Sequence, residues 1–178
     1  VGRNVDEVLR VLDALQTDKG LAAFLALTHA YGTSDCAVAN VAENSHSTKP
    51  MVYKISGVWG NHEGSMLLWV LMLTGWTAAV AWRSPRLPMA MVARVLGVMG
   101  LVATGFIAFV LFTSNPFARL MPPALEGRDL NPLLQDPGMV LHPPMLYMGY
   151  VGFSVAFSFA IAALLGGNLD ATWARWTR

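Results

Sequence analysis

Residues 95–113 read VLGVMGLVATGFIAFVLFT, an apolar run without one Asp, Glu, Lys or Arg. About 20 such residues, wound as an α-helix, cross the roughly 30 Å of hydrocarbon in a bilayer. The same signature returns at residues 64–82 and 144–166. All 12 basic and 11 acidic residues lie between or outside these three runs. Only 13% of the chain is charged and 54% is hydrophobic, whereas soluble domains carry about a quarter charged residues. The pattern predicts an all-α, polytopic membrane protein with three full transmembrane helices, one partial apolar helix and two outer loops. Its surroundings are the lipid bilayer. A formal net charge of +1 gives nucleic acid no electrostatic hold.

The partial helix is residues 20–32, GLAAFLALTHAYG. It is too short to span comfortably and reads as the end of a span, or as a re-entrant or interfacial piece. Residues 1–19, VGRNVDEVLRVLDALQTDK, differ from everything after them. Asn4 with Glu7 three positions on fits a capping box. Val5, Val8, Leu9, Leu12 and Leu15 form one apolar stripe at helical spacing. The expectation is a soluble amphipathic helix over 1–19, distinct from a membrane region over 20–178. No basic start followed by an apolar core marks a signal peptide.

Loop charges orient the spans, since cytoplasmic loops are richer in Lys and Arg. The 83–94 loop carries Arg83, Arg86 and Arg94 without an acid, and the tail carries Arg175 and Arg178 against Asp170. The 33–63 and 114–143 segments mix both signs. The 83–94 loop and the C-terminus are therefore expected in the cytoplasm, and 33–63 and 114–143 outside, in the periplasm of a Gram-negative inner membrane.

Where the 64–82 span begins, Asn61 reads as an N-cap, with Glu63 favoured by the positive end of the helix dipole. Trp59 and Trp69 read as interfacial anchors. The 114–143 segment is dense in proline and should be ordered loop with short helical turns. Its apolar residues Leu120, Met121, Leu125, Leu130, Leu133, Leu134, Met139 and Leu141 are expected to be buried. In the last span, Gly152, Ala156 and Ala160 mark one small-residue face, and Ser154, Ser158 and Ala162 another. Such faces admit close helix approach, and are expected to need further helices from outside this chain.

His142 carries the candidate chemistry. It precedes Pro143 and Pro144, and a residue before proline is pushed toward extended backbone. Proline also suits a first helical turn, so the imidazole is expected at the helix entrance. Such a donor is what a haem iron takes as an axial ligand. Arg119 and Arg128, on the same side, suit haem propionates. The plainer reading makes His142 a cap or a lipid-headgroup contact. His62 reads as a capping or interfacial group, His29 as an interior histidine and His46 as solvated. The single cysteine, Cys36, forms no internal disulfide and no CxxC pair, and has no basic neighbour in sequence to activate it.

Four strings carry a family resemblance: YKISGVWGNHEGSMLLWVL (53–71), LFTSNPFARL (111–120), EGRDLNPLLQDPGMVLHPPMLYMGYVGFSVAFSFAIAALL (126–165) and ARWTR (174–178). From about residue 20 to the end, the chain resembles the CcmF family of cytochrome c-type biogenesis proteins, including its paralogues for nitrite-reductase cytochromes. Residues 1–19 instead resemble the helix before the resolving cysteine of two-cysteine peroxiredoxins, without the peroxidatic cysteine. The CcmF resemblance implies a haem lyase of the bacterial inner membrane. It implies haem b as the group handled, a periplasmic haem chaperone as donor and thiol-reducing maturation subunits as partners, with CxxCH thiols of apocytochrome c as acceptors. It implies that His142, the histidine of HPP, is one of two external axial ligands. The family's tryptophan-rich motif, its second external histidine and its two transmembrane histidines are not among these 178 residues. The chain is thus expected to be an N-terminal fragment, about a quarter of a full member, with little or no lyase activity alone. The contrasting expectation is a haem-free helical scaffold or assembly subunit.

Overall fold

In this computed structural model the backbone is described for residues 2–84 and 87–167, and side chains for 18–84, 87–138 and 140–167. The side chains of the 1–19 stripe and capping box, Arg86, and the tail charges Asp170, Arg175 and Arg178 lie outside the described residues. The rest is helical: α1 (Gly2–Thr33), α2 (Ala39–Asn44), α3 (Met51–Gly57), α4 (His62–Arg83), α5 (Met89–Phe112) and α6 (Pro137–Gly166), with a 3-10 turn at Pro132–Leu134 before α6.

Three of these helices are long and apolar enough to cross a membrane: His62–Arg83, Met89–Phe112 and Val140–Gly166. They match the three apolar runs, and make the chain a multi-pass membrane protein. Each end has a chemical cause. Asn61 caps α4 by accepting from the Gly64 amide at 2.8 Å, and Glu63 sits in the first turn. Asp136 caps α6 in the same way, accepting from Gly138 N at 2.8 Å, with Pro137 in the first turn. Gly167, in the left-handed region at φ 66°, closes α6. Arg94 belongs to α5 rather than to the preceding loop. Its guanidinium lies against Gly166, near the carbonyl end of α6, where the helix dipole favours a cation.

The 20–32 stretch is not a separate piece. One helix runs without interruption from Gly2 to Thr33, and Asn4 lies inside it rather than ahead of it.

α4 is the axle of the bundle, packing against α1, α5 and α6. Leu73 and Val80 of α4 meet Val95, Met99 and Ala103 of α5 and Val151, Phe159 and Ala162 of α6 in one buried cluster. Trp69 stacks on Phe106 with centroids 4.3 Å apart, so it serves α4–α5 packing more than an interface. A second cluster gathers Leu27 and Tyr31 of α1, Val38, Val41, Val58 and Leu67 at the outer end. On α6, Ser158 and Ala162 are fully buried and Gly152 faces the Trp76 ring. The small-residue positions are therefore partly filled within this chain. The uncovered surface of α6 is instead its bulky ridge, with Met145, Phe153 and Phe157 exposed.

A buried polar triangle joins the elements above the second cluster. The Tyr31 hydroxyl donates to Asn40 Oδ1 at 2.6 Å and accepts from Asn61 Nδ2 at 3.0 Å. Asn40 Nδ2 donates to Asn61 Oδ1 at 2.8 Å. Asn61 Nδ2 also donates to the Gly57 carbonyl at 2.9 Å. The two outer segments then interlock by backbone pairing. Ala39 N donates to Ala118 O at 2.8 Å, Leu120 N to Ala37 O at 2.9 Å, and Arg128 N to Ala42 O at 2.8 Å. The predicted placement of 33–63 and 114–143 on one side of the membrane is thereby met, because they form a single cap.

The triangle yields a direct test. Tyr31→Phe keeps the ring and removes the hydroxyl's bonds to Asn40 and Asn61, while the two amides still bond one another. A hydrogen bond lost from a network whose members stay paired costs about 0.5–1.5 kcal/mol. Denaturant unfolding in detergent should show a loss of that order, and an unchanged midpoint would mean the triangle contributes nothing.

Candidate functional site

The cap presents the sequence-predicted residues. Arg119 lies in an antiparallel bridge with Val38, and Arg128 follows Gly127 where the chain runs beneath Ser45. Gly127 is required there, since any Cβ would overlap the Ser45 carbonyl. Both arginines are exposed. Among the described residues no hydrogen bond or ion pair ties either guanidinium.

His142 is exposed as well, but its backbone is not extended. It is the sixth residue of α6, and Pro143 and Pro144 both lie inside the helix. The Asp136 cap and Pro137 start the helix before the HPP motif, and helical propagation overrides the pre-proline preference. The cost is two missing amide donors. Pro144 cannot serve the Val140 carbonyl four residues back. That carbonyl is served instead by the Trp59 indole, whose Nε1 donates to it at 3.1 Å. Trp59 therefore ties the turn before α4 to the helical turn that carries His142.

The His142 imidazole is exposed, and Met145 and Leu146 are exposed on the turn that follows. His142 and the arginines share the outer end of the molecule. No side-chain contact joins them to one another among the described residues.

Of the other histidines, His62 opens α4 but does not cap it. Its Nδ1 pairs with Ser114 Oγ at 2.8 Å and its ring meets Phe109 edge-on. It borders a recess of about 460 Å³ with Trp69 and Tyr147. His46 is half-buried, and its Nδ1 pairs with Thr48 Oγ1 at 2.9 Å. His29, expected in the interior, is exposed, because the buried face of α1 is that of Leu27 and Tyr31. Among the described residues no three His, Cys, Asp or Glu side chains gather as a metal site.

The cap's apolar residues also depart from expectation. Leu130 is buried, whereas Leu120, Met121, Leu125, Leu133 and Leu141 are exposed. Backbone hydrogen bonds and charged pairs order this segment in place of a hydrophobic core. Lys49, itself buried, pairs with Asp129, which adopts a left-handed φ of 81°. Glu126 accepts from Ser47 Oγ at 2.7 Å and from Ser47 N at 3.1 Å. The Lys49–Asp129, Ser47–Glu126 and Tyr31–Asn40 pairs are ones that sequence reasoning passed over, and Trp59, read as an interfacial anchor, also braces the backbone of α6. The first two pairs and the Trp59 bond join segments about eighty positions apart, and Tyr31 and Asn40 stand in different helices, so no local spacing marks them.

The electrostatics follow from those bonds. The Ser47 hydroxyl, with the Gly127 and Ser47 amides, lowers the Glu126 pKa from 4.5 to about 2. Asp129 is lowered as well, chiefly by its bond to Lys49. The Cys36 thiol is pushed up by burial and by the nearby Glu126 and Asp35 carboxylates, opposite to an activated nucleophile.

The fold and site define a helical membrane protein that presents one imidazole and two guanidiniums at one end of its bundle. The chain matches the family described as Cytochrome C assembly protein over residues 59–178, and it belongs to that family. Among curated proteins it is similar to the cytochrome c-type biogenesis protein CcmF of Pseudomonas aeruginosa, 64% identical over 157 residues, which are 88% of this chain and 24% of the relative. It is 60% identical to the protein of the same name from Escherichia coli, again over 88% of this chain and 24% of the relative. It is 46% identical to the probable cytochrome c-type biogenesis protein NrfE of Escherichia coli, over 87% of this chain and 28% of the relative. The chain thus spans about a quarter of the length of these relatives. No solved structure matches it.

The depressed carboxylates set a pH dependence. A carboxylate whose pKa falls on folding stabilises fully above its unfolded value, and the contribution is lost as pH falls through the folded one. For Glu126 that window runs from 4.5 down to about 2. Thermal midpoints in detergent should decline across it, and Glu126→Gln should flatten the decline. Equal slopes in the two proteins would show that the Ser47–Glu126 contact does not hold the cap.

Proposed function

We propose that this chain is the N-terminal membrane portion of a cytochrome c haem lyase of the bacterial inner membrane. In this reading the cap faces the periplasm, and the 83–94 loop and the C-terminus face the cytoplasm. Residues 20–178 form the family-like region, with 1–19 as a separate addition. The whole protein takes haem b from a periplasmic haem chaperone. With thiol-reducing maturation subunits it supports attachment to the CxxCH thiols of apocytochrome c. The observation that carries the proposal is His142: an exposed imidazole at the outer end of a spanning helix, in a chain of this family.

The residues present fit a haem edge. His142 offers an exposed nitrogen donor for the iron. Met145 and Leu146, exposed on the next turn, give an apolar surface beneath. Arg119 and Arg128 are free to pair with propionates as planar bidentate donors. The haem supplies the vinyl groups that the cytochrome thiols add to. The chain's own part is to hold and orient. Trp59 secures the carbonyl left open by Pro144, which keeps the His142 turn helical.

Haem titration of the detergent-solubilised chain tests this. The wild type should give a low-spin or imidazole-ligated spectrum, and His142→Ala should lose it or shift it to high spin. Arg119→Ala and Arg128→Ala together should weaken affinity by about tenfold, a change of about 1.4 kcal/mol, and leave the spectral type unchanged. Identical spectra for wild type and His142→Ala would remove His142 as ligand and favour the haem-free scaffold.

A further inference from the structure

Arg128 has an acid on either side, and neither one meets it. Glu126 stands two positions before it and Asp129 one position after, so its fork could fold back on either carboxylate. Both carboxylates are taken elsewhere, by residues 45–49. Glu126 accepts from Ser47 Oγ at 2.7 Å and from Ser47 N at 3.1 Å, through separate oxygens. Asp129 pairs with the ammonium of Lys49, whose side chain is only 4% exposed. His46, half-buried in the same stretch, lies near enough to act on both acids.

The backbone under Arg128 is fixed while its side chain is not engaged. Four consecutive amides are bound. Gly127 N donates to Glu126 Oε1 at 3.0 Å, and Arg128 N to the Ala42 carbonyl at 2.8 Å. Asp129 N donates to the Ser45 carbonyl at 3.1 Å, and Leu130 N to Asp129 Oδ1 at 2.7 Å. Asp129 sits at φ 81°. A residue with a Cβ rarely adopts that value, and it persists only where the surroundings over-determine it. The two acids are therefore not idle, since each anchors one of these amides. The guanidinium between them is exposed, and among the described residues the one ion pair is that of Lys49 with Asp129.

We propose that Lys49 and Ser47 are positioning residues for Arg128: they take both flanking carboxylates, so that the guanidinium stays open to a carboxylate arriving from outside the chain. The inference rests on the haem reading above, which makes that carboxylate a haem propionate. A planar fork suits such an anion, but a fork closed on its own neighbours would first have to break an internal pair. Lys49 and Ser47 touch no ligand; they act through Arg128.

The test has two arms, both on the full chain in detergent. The first reads the guanidinium itself, as the rate at which phenylglyoxal modifies Arg128, followed by mass spectrometry. Arg119, in the same cap without a flanking acid, is the internal standard. Lys49→Met removes the buried member of the pair and leaves the half-exposed Asp129, so no buried charge is stranded. Modification of Arg128 should slow by about threefold, the scale of an exposed ion pair. Adding Asp129→Asn, which keeps an oxygen for the Leu130 amide, should restore the wild-type rate. Ser47→Ala should slow it too, and Glu126→Gln in that background should restore it. The Arg119 rate should hold throughout. A merely structural role for Lys49 gives no such rescue, because the double variant also lacks the pair. The second arm compares haem with its dimethyl ester, whose propionates carry no charge. Lys49→Met should weaken haem binding by about threefold, Asp129→Asn should restore it, and the ester should bind all three proteins alike. An Arg128 rate that Lys49→Met leaves unchanged, or that Asp129→Asn fails to rescue, overturns the positioning role whatever the haem arm shows. Rescue in the first arm with no difference between haem and its ester overturns the propionate as the carboxylate, while the His142→Ala spectrum reports separately on the haem reading.

Discussion

The structure depends on a polar triangle where hydrocarbon gives way to water. Tyr31, Asn40 and Asn61 satisfy one another in a nearly sealed site. A buried network of this kind is stabilising only when every member is paired. Here the third member is also the cap of a spanning helix, since Asn61 holds the Gly64 amide. One side chain thus fixes where α4 begins, where α1 leans and where the cap is seated. Gly64 belongs to the same constraint, because a Cβ there would overlap the Val58 carbonyl. With α4 set, α5 and α6 pack on it through Leu73, Met99 and Phe159.

The proposed site inherits its geometry from this frame. The cap is not a hydrophobic domain in miniature. It is a pair of crossing segments joined by backbone hydrogen bonds and by two acid contacts, Ser47–Glu126 and Lys49–Asp129. Such an arrangement leaves its apolar side chains on the outside, and Met121 and Leu125 are almost wholly exposed. The arginines stand free because the local acids are already engaged. His142 stands free because α6 turns its bulky ridge outward and its small residues inward.

The spans, their caps at Asn61, and the shared side of the two outer segments were legible in the sequence. They are written in local rules: runs without charge, cap residues, loop composition. The start of α6 was not. Two adjacent prolines read as a helix boundary, but Asp136 and Pro137 nucleate a turn earlier, and Trp59, more than eighty positions away in the chain, compensates the carbonyl that proline leaves open. The exposure of His29 and of Leu125 was missed for a related reason. An apolar or membrane-adjacent residue is expected to be buried, and only the tertiary arrangement says which face is inward. The Tyr31–Asn40 pair gave no local signal, since neither residue stands in a motif with the other.

The indole bond to Val140 has a mechanical meaning. It crosses from the threshold of one spanning helix to the backbone of another, between two half-buried residues. If the Trp59 turn slides away, a carbonyl that proline has already deprived of its helical partner is left without one, a cost of about 1–3 kcal/mol where water does not replace the indole. The threshold of α4 and the first turns of α6 are accordingly tied, so the turn that carries His142 is seated against the start of a neighbouring span.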